Sequence, residues 1–397
     1  MEKQKIAVIF GGKSTEHEVS VITGLQVFKN IDTDKYDPIA IYISKSGTWH
    51  IGDELKNPDT YKQLETIPSK TSEVILSQNP QKKELSFVNK SESFLSFGKQ
   101  NPIKIDAIFP CLHGGLGENG GLQGLFELSE IPYIGSGILS SATGMDKIIM
   151  KGLFIQNDIP VAKFHSFYRT NWGKNSPDVI SDIESKLNYP MFVKPANSGS
   201  SIGISKVNNQ KELTNGIEVA AAFDRKIIIE EGFEFTKEIN VSIIGNSDSD
   251  VMTSACEEVY SSNAFLNYDD KYKGNSKSEG MASTKRQIPA EISKKLENEI
   301  KETAIKTFKC LDCSGLARID FLVDDEKGKF IVVEINTLPG SISFYLWEKS
   351  NLKFKELTTK LIELAFEKFQ DNKNTIVNFS SNILENFGSG TKGSKSN

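Results

Sequence analysis

Short apolar runs alternate with amphipathic stretches along the first third of the chain. The segments KIAVIF, YDPIAIYIS and IDAIFPCLHGG predict three strands, and EVSVITGLQVFKNI, between the first two, predicts a helix. A strand, a glycine turn, a helix and a second strand are typical of an open parallel α/β sheet, whose ligands bind at the carboxyl ends of the strands. Residues 56–100 are polar and poorly periodic, and we predict them to be a peripheral addition.

The pattern changes from Ser136 to about Glu230. SATGMDKIIMKGLF predicts part of one helix, KELTNGIEVAAAF predicts a second, and KIIIEE predicts a strand. Between the helices, PMFVKPANSGSSIGISKV predicts a hairpin in which Lys194 lies near the end of the first strand. The loop of this hairpin is rich in Gly and Ser, so its backbone N–H groups could cover phosphates.

The last third contains two strands, RIDFLV and FIVVEIN, joined by DDEKGK, and a later helix in LTTKLIELAFEKFQ. Residues two apart share a face of a strand, so Arg318 and Asp320 point one way, as do Glu334 and Asn336. If the loop has an odd number of residues, for instance 326–328, Asp320 lies opposite Glu334 and Arg318 lies opposite Asn336. The sequence then predicts four polar groups on one face.

These polar groups have two interpretations. Facing carboxylates repel each other, and burying them costs several kcal/mol unless they share a cation. The oxygens of Asp320, Glu334 and Asn336 are the hard ligands that Mg²⁺ prefers, with phosphate oxygens and waters completing the octahedron. The alternative is a solvated sheet face with an arginine and carboxylate network. The hairpin alone leaves both interpretations open.

Composition excludes several classes of protein. With 397 residues, 38% hydrophobic and 25% charged, the chain has the size of two or three globular domains. A formal net charge of −5 argues against general binding to nucleic acid or a membrane surface. No apolar run is long enough for a membrane span and the N-terminus lacks a signal-peptide pattern, so we expect a cytoplasmic protein.

Other familiar site patterns are absent or incomplete. GKST at 12–15 would need a glycine at position 7 to be a phosphate-binding P-loop, but Ala7 is there, and no GxGxxG follows a strand. Cys310 and Cys313 form one CxxC without a second pair or a nearby His, so we expect reduced thiols instead of a zinc site.

Eight motifs, taken together and in order, resemble the D-alanine–D-alanine ligases of the ATP-grasp superfamily over roughly residues 5–370. They are VIFGGKSTEHEVS, CLHGGLGENGGLQGLFELSEIPYIGSG, SATGMDK, VKPANSGSSIGISKV, KEINVSIIG, YDDKYKG, GLARIDFLV and EINTLPG. The resemblance implies an ATP-grasp fold of class α/β (α+β) with an N-terminal open parallel α/β domain. We expect that domain at 1–135, a central ATP-grasp domain at 136–230 and a C-terminal ATP-grasp domain with the metal site at 231–375. The Gly, Ser and Lys composition of 385–397 predicts a disordered tail.

The same resemblance implies the reaction. ATP would phosphorylate the carboxylate of one D-alanine, and the amine of a second would attack the acyl phosphate to give D-alanyl-D-alanine for peptidoglycan precursors, with ADP and phosphate. It also implies two Mg²⁺ or Mn²⁺ ions and a homodimer. Phosphoryl transfer relies on positioning and charge neutralisation, which suits a site made of cations and N–H donors.

Site residues carry over from the motifs as expectations. The groups expected to contact ATP are Lys147, Lys194, Ser198, Gly199, Ser201, Glu230, Glu231, Phe233 and Glu238. The magnesium ligands would be Asp320, Glu334 and Asn336, and Arg318 with the N–H of Gly340 would stabilise the tetrahedral oxyanion. Glu16, linked to Ser200 and Tyr272, would bind the first D-alanine's ammonium, with Glu18 as the competing candidate.

Two further residues follow from the same motifs. Lys271 would reach the transferred phosphate from a loop that excludes water. His113 ends the third predicted strand near the second amino acid, where a catalytic proton role and a structural, hydrogen-bonded role both remain open.

The sequence departs from the family pattern at three places. Asn119 replaces an acidic residue, and the loop at 273–287 is longer and more basic than in compact members. After Gly340 the family commonly has a Ser that holds the acceptor's carboxylate; here Tyr345 is near that place, and Ser341 or Ser343 are other candidates. D-lactate, D-serine or another amine therefore remain alternative acceptors. A silent nucleotide-binding protein is the alternative outside enzymes, while GGKSTEHEVS and DKY disfavour biotin-dependent carboxylation.

Overall fold

A computed structural model describes residues 2–88, 101–260, 286–377 and 381. Within these ranges the chain is a mixed α/β protein built on three sheets. Lys271, Tyr272, residues 273–285 of the basic loop and the predicted tail at 385–397 lie outside the described residues. No helix in the described ranges has both the length and the apolar character needed to cross a membrane.

The first sheet has the strand order β6-β5-β4-β3-β2-β1-β7. Strand β1 buries its last six residues, as expected for a central strand covered on both faces. Only β2, β1 and β7 are parallel; β3 to β6 add antiparallel strands, so the predicted open parallel sheet is in fact mixed. The elements are β1 (Gln4–Gly11), α1 (His17–Asn30), β2 (Tyr36–Ile43), β3 (Trp49–Ile51), α2 (Ile67–Lys70), β4 (Ser72–Leu76), β5 (Glu84–Phe87), β6 (Ile103–Lys104), β7 (Ala107–Pro110) and α3 (Gly121–Leu128).

The described part of 56–100 is more ordered than its weak periodicity predicted. Strands β4 and β5 pair with each other, and β4 pairs with β3 at the sheet edge. These strands are four or five residues long and partly exposed, so they show too few alternations for a clear period-2 signal.

The second sheet, β10-β9-β11-β8, contains the predicted glycine and serine hairpin between β9 and β10. One prediction is wrong here: SATGMDKIIMKGLF is not in a single helix, because Asp146 is extended and separates α4 from α5. The elements are α4 (Ile138–Met145), α5 (Lys147–Gln156), β8 (Phe164–Tyr168), α6 (Arg169–Lys174), α7 (Ser176–Lys186), β9 (Met191–Pro195), β10 (Ser205–Val207), α8 (Gln210–Phe223) and β11 (Lys226–Glu231).

The third sheet follows the path β15-β14-β12-β16-β17, with β13 paired to β12. Its long central strands, β12 and β16, alternate between buried apolar residues and residues of the cleft described below. The elements are β12 (Lys237–Asn246), β13 (Met252–Thr253), β14 (Glu257–Val259), β15 (Arg286–Gln287), α9 (Lys294–Cys310), β16 (Ser314–Asp324), β17 (Lys329–Asn336), α10 (Phe344–Glu348) and α11 (Phe354–Lys373).

The largest core joins the two ends of the chain. Ile6 and Val8 of β1 lie in one buried cluster with Trp347 of α10 and Leu361 of α11. Helix α11 also contacts the first region through Thr358, whose hydroxyl donates to the carbonyl of Asn30 at 2.9 Å. This packing fixes the carboxyl ends of β1 and β7 beside the turn that follows β17. None of the four cysteines, all within the described ranges, is in a disulfide.

Candidate active site

Four neighbouring strands of the third sheet place polar residues in one row. Glu257 lies opposite Asn240, Asn240 opposite Asp320, and Asp320 opposite Glu334. The predicted pairing of Asp320 with Glu334 and of Arg318 with Asn336 is confirmed.

The loop length that gives this register differs from the predicted one. The β16–β17 loop spans four residues, 325–328, because Asp324 pairs with Lys329. A bulge next to Asp320 then shifts the register by one residue and restores the pairing with Glu334. The run FIVV contains only apolar residues, so the sequence showed no signal for the extra residue.

Arg318 binds Asp320 side-on. Its Nε and one terminal nitrogen donate to the two carboxylate oxygens at 2.7 and 2.6 Å. Burial alone would lower the pKa of Arg318, but Asp320 outweighs it and the pKa lies well above its ordinary value. Asn336 Nδ2 also donates to Asp320, at 3.1 Å. The guanidinium is thus permanently charged and held at the metal-ligand candidates.

Two lysines of the second region, Lys147 and Lys194, line the same cleft as this row, and a third, Lys151, is buried behind it. Lys147 Nζ lies 3.6 Å from Glu334 and donates to the Ser198 carbonyl at 2.8 Å. Lys194 Nζ lies 2.8 Å from one oxygen of Glu230, and Lys151 Nζ lies 3.3 Å from the other. Burial alone would raise the pKa of Glu230, but the two lysines outweigh it and lower the pKa to about 2.

The nucleotide candidates line one cleft, although not all by their side chains. Phe233, Glu238 and the loop from Ser198 to Ser201 lie along it with Lys147 and Lys194. Glu231 is also at the cleft, but its carboxylate accepts from the Asn188 backbone at 2.8 Å. The Glu231 backbone N–H donates to the Lys163 carbonyl at 2.8 Å, so both groups of this residue have protein partners.

Glu16 and Glu18, the two candidate carboxylates in this turn, have different contacts. Ser200 Oγ donates to Glu16, which joins the start of α1 to the glycine and serine loop 184 residues away. Glu18 instead forms an exposed ion pair with Lys45 at 2.5 Å. Glu16 lines the cleft, and Glu18 does not.

His113 has hydrogen bonds at both ring nitrogens. Nδ1 lies 3.1 Å from the carbonyl of Leu338, so it must donate, and Nε2 lies 2.8 Å from Thr23 Oγ1. Thr23 Oγ1 also accepts from the Ser341 N–H at 3.0 Å, so Thr23 joins the histidine to the turn. Nδ1 also lies 3.6 Å from a Glu118 carboxylate oxygen, and together these contacts hold His113 against the turn around Gly340.

A left-handed turn follows Gly340 and leads into α10. Ser341, Ile342 and Ser343 have φ values of 51°, 46° and 50°, which are unfavourable for non-glycine residues and most of all for a β-branched one. The buried Ile342 side chain and its N–H bond to Pro339, 2.9 Å, hold this conformation. Directly after the turn, Tyr345 lines the cleft, while the described Ser341 and Ser343 do not.

Comparisons with known proteins decide the family. Two family models match, "D-ala D-ala ligase N-terminus" over residues 5–136 and "D-ala D-ala ligase C-terminus" over residues 153–363. The chain belongs to the D-alanine–D-alanine ligase family. A D-alanine–D-alanine ligase of Acetivibrio thermocellus is 41% identical over 387 residues, covering 94% of this chain and 98% of that one. One of Ruminiclostridium cellulolyticum is 41% identical over 384 residues, covering 95% and 99%.

Solved structures of ligases share the whole architecture. The VanG D-Ala:D-Ser ligase of Enterococcus faecalis has a TM-score of 0.77 and 34% identity, covering 92% of this chain and all of that one. The D-alanine–D-alanine ligase of Coxiella burnetii has a TM-score of 0.77 and 26% identity, covering 94% and 97%. The fold is therefore the ATP-grasp fold predicted from the motifs.

The donor set of this ligase-family cleft suits a metal ion that arrives with phosphates. No group of three or more His, Cys, Asp or Glu in the described ranges is placed to hold a metal alone. Asp320, Glu334 and Asn336 supply oxygen donors on adjacent strands, which is an incomplete octahedron for Mg²⁺ until phosphate oxygens join it. The residues fit a nucleotide-bound divalent ion.

Sequence reasoning missed three cleft or near-cleft residues. Lys151 follows Lys147 by four residues in α5. This spacing could have indicated that the two lysines lie on the same face of the helix. Glu118 lies 3.6 Å from His113, and burial raises the pKa of its carboxyl. Glu257 sits in a strand of three residues, too short for a period to be seen.

Proposed function

We propose that this chain is an ATP-dependent ligase that joins two D-alanines through an acyl phosphate, giving D-alanyl-D-alanine, ADP and phosphate. One observation carries the proposal: the cleft brings Arg318 and the Asp320–Glu334 pair opposite Lys147 and Lys194. Cations on both sides of a carboxylate pair suit the transfer of a phosphoryl group, which depends on charge neutralisation. Family membership supports the same reaction.

The nucleotide would lie between the second and third sheets. Lys147, Lys194 and the loop from Ser198 to Ser201 would meet its phosphates, and the Glu230–Phe233 segment would receive the base. Asp320, Glu334 and Asn336 would hold two Mg²⁺ or Mn²⁺ ions. When bound, these ions would supply neutralising charge for the phosphates.

The first D-alanine would bind with its ammonium at Glu16 and its carboxylate towards the phosphates. Ser200 fixes the Glu16 carboxylate. The Arg318 guanidinium and the N–H of Gly340 would stabilise the oxyanion that forms when the second amine attacks. We propose His113 as a positioning residue for that turn, since its two ring nitrogens hold Thr23 and Leu338.

Other assignments rest on the resemblance alone, except the cytoplasmic location, which rests on the sequence pattern. They are the phosphate contact of Lys271, the link of Tyr272 to Glu16, the three domains, the homodimer, the cytoplasmic location and the supply of peptidoglycan precursors. We keep them as proposals, with no nucleic acid or membrane partner.

D-serine is a second candidate acceptor. The VanG D-Ala:D-Ser ligase is 34% identical to this chain, above the 26% of the Coxiella burnetii ligase but below the 41% of the two D-alanine–D-alanine ligases reported above. The region after Gly340, where Tyr345 lines the cleft near the place of the family's usual Ser, is where the two acceptors would be distinguished.

The direct test is ADP release with Mg²⁺ over a panel of D-amino acids and D-hydroxy acids, with identification of the product. We expect turnover with D-alanine alone and formation of the dipeptide. Turnover only with D-alanine plus D-serine or D-lactate would show that the acceptor is that second compound and not D-alanine. ATP binding without turnover on any D-substrate would mean a silent nucleotide-binding protein.

Glu334→Gln tests the metal assignment. Removing one charge from the oxygen set should lower metal-dependent turnover by about 100-fold or more, the scale of one preorganised electrostatic group. Glu326→Gln, an exposed position in the same hairpin loop, is the matched control. Wild-type turnover in a folded Glu334→Gln protein would refute the assignment.

A further inference from the structure

Two residues at the end of α8 contact the two ends of the glycine and serine loop, residues 196–204. Phe223 is the last residue of this helix, and Asp224 follows it. The middle of the loop, residues 198–201, lines the cleft. Asp224 binds the end of the loop that follows β9, and Phe223 lies against the end that precedes β10. One short segment therefore contacts the loop on both sides of its cleft-lining part.

Asp224 binds the first end of the loop through its carboxylate. One oxygen accepts from the backbone N–H of Asn197 at 2.8 Å and from the Asn197 side-chain amide at 2.9 Å. The other oxygen accepts from the N–H of Lys226, the first residue of β11, at 3.1 Å. Since β11 pairs with β9, this carboxylate joins the start of the loop to the sheet that carries it. Hydrogen bonds to an ionised acceptor are stronger than those between neutral groups.

Phe223 lies directly on the other end of the loop. A Cβ added at Gly203 would be 2.7 Å from the Phe223 ring carbon Cδ2 and 2.8 Å from Cγ of Pro195. Gly203 has a φ of 74°, which glycine adopts without strain. The backbone thus passes between a phenylalanine and a proline with no room for a side chain. Phe223 is 58% exposed, so its ring adds little to the buried core and mainly supports the loop.

Between these two contacts the loop has an unfavourable backbone. Ser200 and Ser201 have φ values of 50° and 58°, and residues other than glycine keep such values only where their surroundings hold them. The N–H of Ile202 donates to the Gly199 carbonyl at 3.1 Å, and Ser198 Oγ donates to the Ile202 carbonyl at 3.2 Å. These bonds close a compact turn, and the two contacts at the end of α8 fix the separation of its ends.

We infer that Phe223 and Asp224 are positioning residues, which hold the glycine and serine loop in the conformation that covers the phosphates of ATP. The inference rests on the proposed ATP-dependent function. A loop that is ordered before binding loses less conformational entropy when the nucleotide arrives, so its N–H donors bind the phosphates more tightly. Phe223 and Asp224 are among the described residues that do not line the cleft, so they act only through the loop.

Comparing ATP with adenosine tests this inference, because only ATP has phosphates for the loop to contact. Binding of each to the full-length protein is measured by calorimetry with Mg²⁺ and without a D-amino acid. Phe223→Ala should weaken ATP binding by about ten-fold and change adenosine binding by less than about two-fold. Phe223→Tyr retains the ring on Gly203 and should restore the affinity for ATP. Ile155→Ala is the matched control, because Ile155 is similarly exposed, at 55%, near the far end of α5.

Asp224→Ala and Asn197→Ala test the other end of the loop. Asp224→Ala removes three hydrogen bonds, and Asn197→Ala removes only the one from its own side chain. We expect the affinity for ATP to fall by about ten-fold in the first variant and about three-fold in the second. Because both changes break the same link, the double variant should bind ATP no more weakly than Asp224→Ala alone. Losses that add in the double variant would contradict the link.

Hydrogen exchange without nucleotide examines the loop independently of ATP binding. The N–H of Ile202 is bonded inside the loop, so its exchange rate reports whether the turn is kept. In Phe223→Ala it should exchange about ten-fold faster than in the wild-type protein, while the N–H groups of β9 and β11 remain unchanged.

An unchanged ratio of ATP affinity to adenosine affinity in a folded Phe223→Ala protein overturns the inference. Equal weakening of both ligands also overturns it, because the effect would then not depend on the phosphates. A wild-type protein that binds no ATP overturns the proposed function instead, and the exchange rate at Ile202 would still show whether Phe223 holds the loop.

Discussion

Two buried lysines beside this cleft share one carboxylate. Lys151 is fully buried, which is rare for a lysine, and burial lowers its pKa. It is tolerated because Glu230 lies 3.3 Å away and shares its other oxygen with Lys194. The three side chains carry one net positive charge, so removing different members should have very different consequences.

Glu230→Gln should destabilise the protein by about 3–5 kcal/mol, because it leaves Lys151 and Lys194 buried without a carboxylate. Lys151→Met should cost less, under about 2 kcal/mol, because a neutral Lys194–Glu230 pair remains and methionine fills a similar volume. Urea unfolding midpoints at neutral pH measure both. Equal losses in the two variants would contradict this charge balance.

The same carboxylate predicts a pH dependence. The folded-state pKa of Glu230 is lowered to about 2 from a model-compound value of 4.5. Its contribution to stability is therefore complete above about pH 4.5 and lost as the pH falls towards 2. Glu230→Gln lacks this contribution, so its free energy of unfolding should fall less steeply over that range. A slope as steep as that of the wild-type protein would contradict the lowered pKa.

At the scale of elements, a break between two helices positions a lysine of the cleft. Asp146 ends α4 and caps α5, accepting from the backbone N–H groups of Ile148 and Ile149 at 3.1 and 3.2 Å. Lys147 is the first residue of α5, and its N–H donates to the Ala196 carbonyl at 3.0 Å, just after β9. The cap thus connects Lys147 to the strand that carries Lys194.

Asp146→Ala should destabilise the protein by about 1–2 kcal/mol, the usual effect of losing an N-cap. It should also raise the KM for ATP, because Lys147 follows the cap directly. Asp146→Asn retains the capping oxygen and loses only the charge that pairs with Lys226, so it should stay closer to the wild-type protein. Thermal unfolding and ATP titration of both variants test this, and an Asp146→Asn protein as impaired as Asp146→Ala would contradict the capping role.

The elements differ in how far the sequence predicted them. The Asp320–Glu334 pairing followed from period-2 alternation, because polar residues interrupt an apolar strand at a visible spacing. The break at Asp146 was missed, since the apolar spacing continues across it and no Pro or Gly lies at the break itself. The Glu257–Tyr345 contact joins a short strand to a short helix 88 residues later, which no local pattern encodes.

At the scale of the whole molecule, the cleft exists because distant segments meet. Glu16 contacts Ser200, and His113 contacts Leu338, so the first sheet touches both of the others at the site. The shared core of β1 with α10 and α11 holds the first and third sheets together away from the cleft. The motifs predicted which residues take part, while this packing decides that they line one cavity.

Above all, we propose that this cavity transfers a phosphoryl group from ATP to a substrate carboxylate. The most direct measurement uses D-alanine labelled with ¹⁸O in its carboxylate and analyses the phosphate released during dipeptide formation by mass spectrometry. An acyl phosphate leaves with one carboxylate oxygen, so we predict one ¹⁸O in each phosphate. Dipeptide formed with unlabelled phosphate, or ADP produced without any transfer of label, would contradict the account.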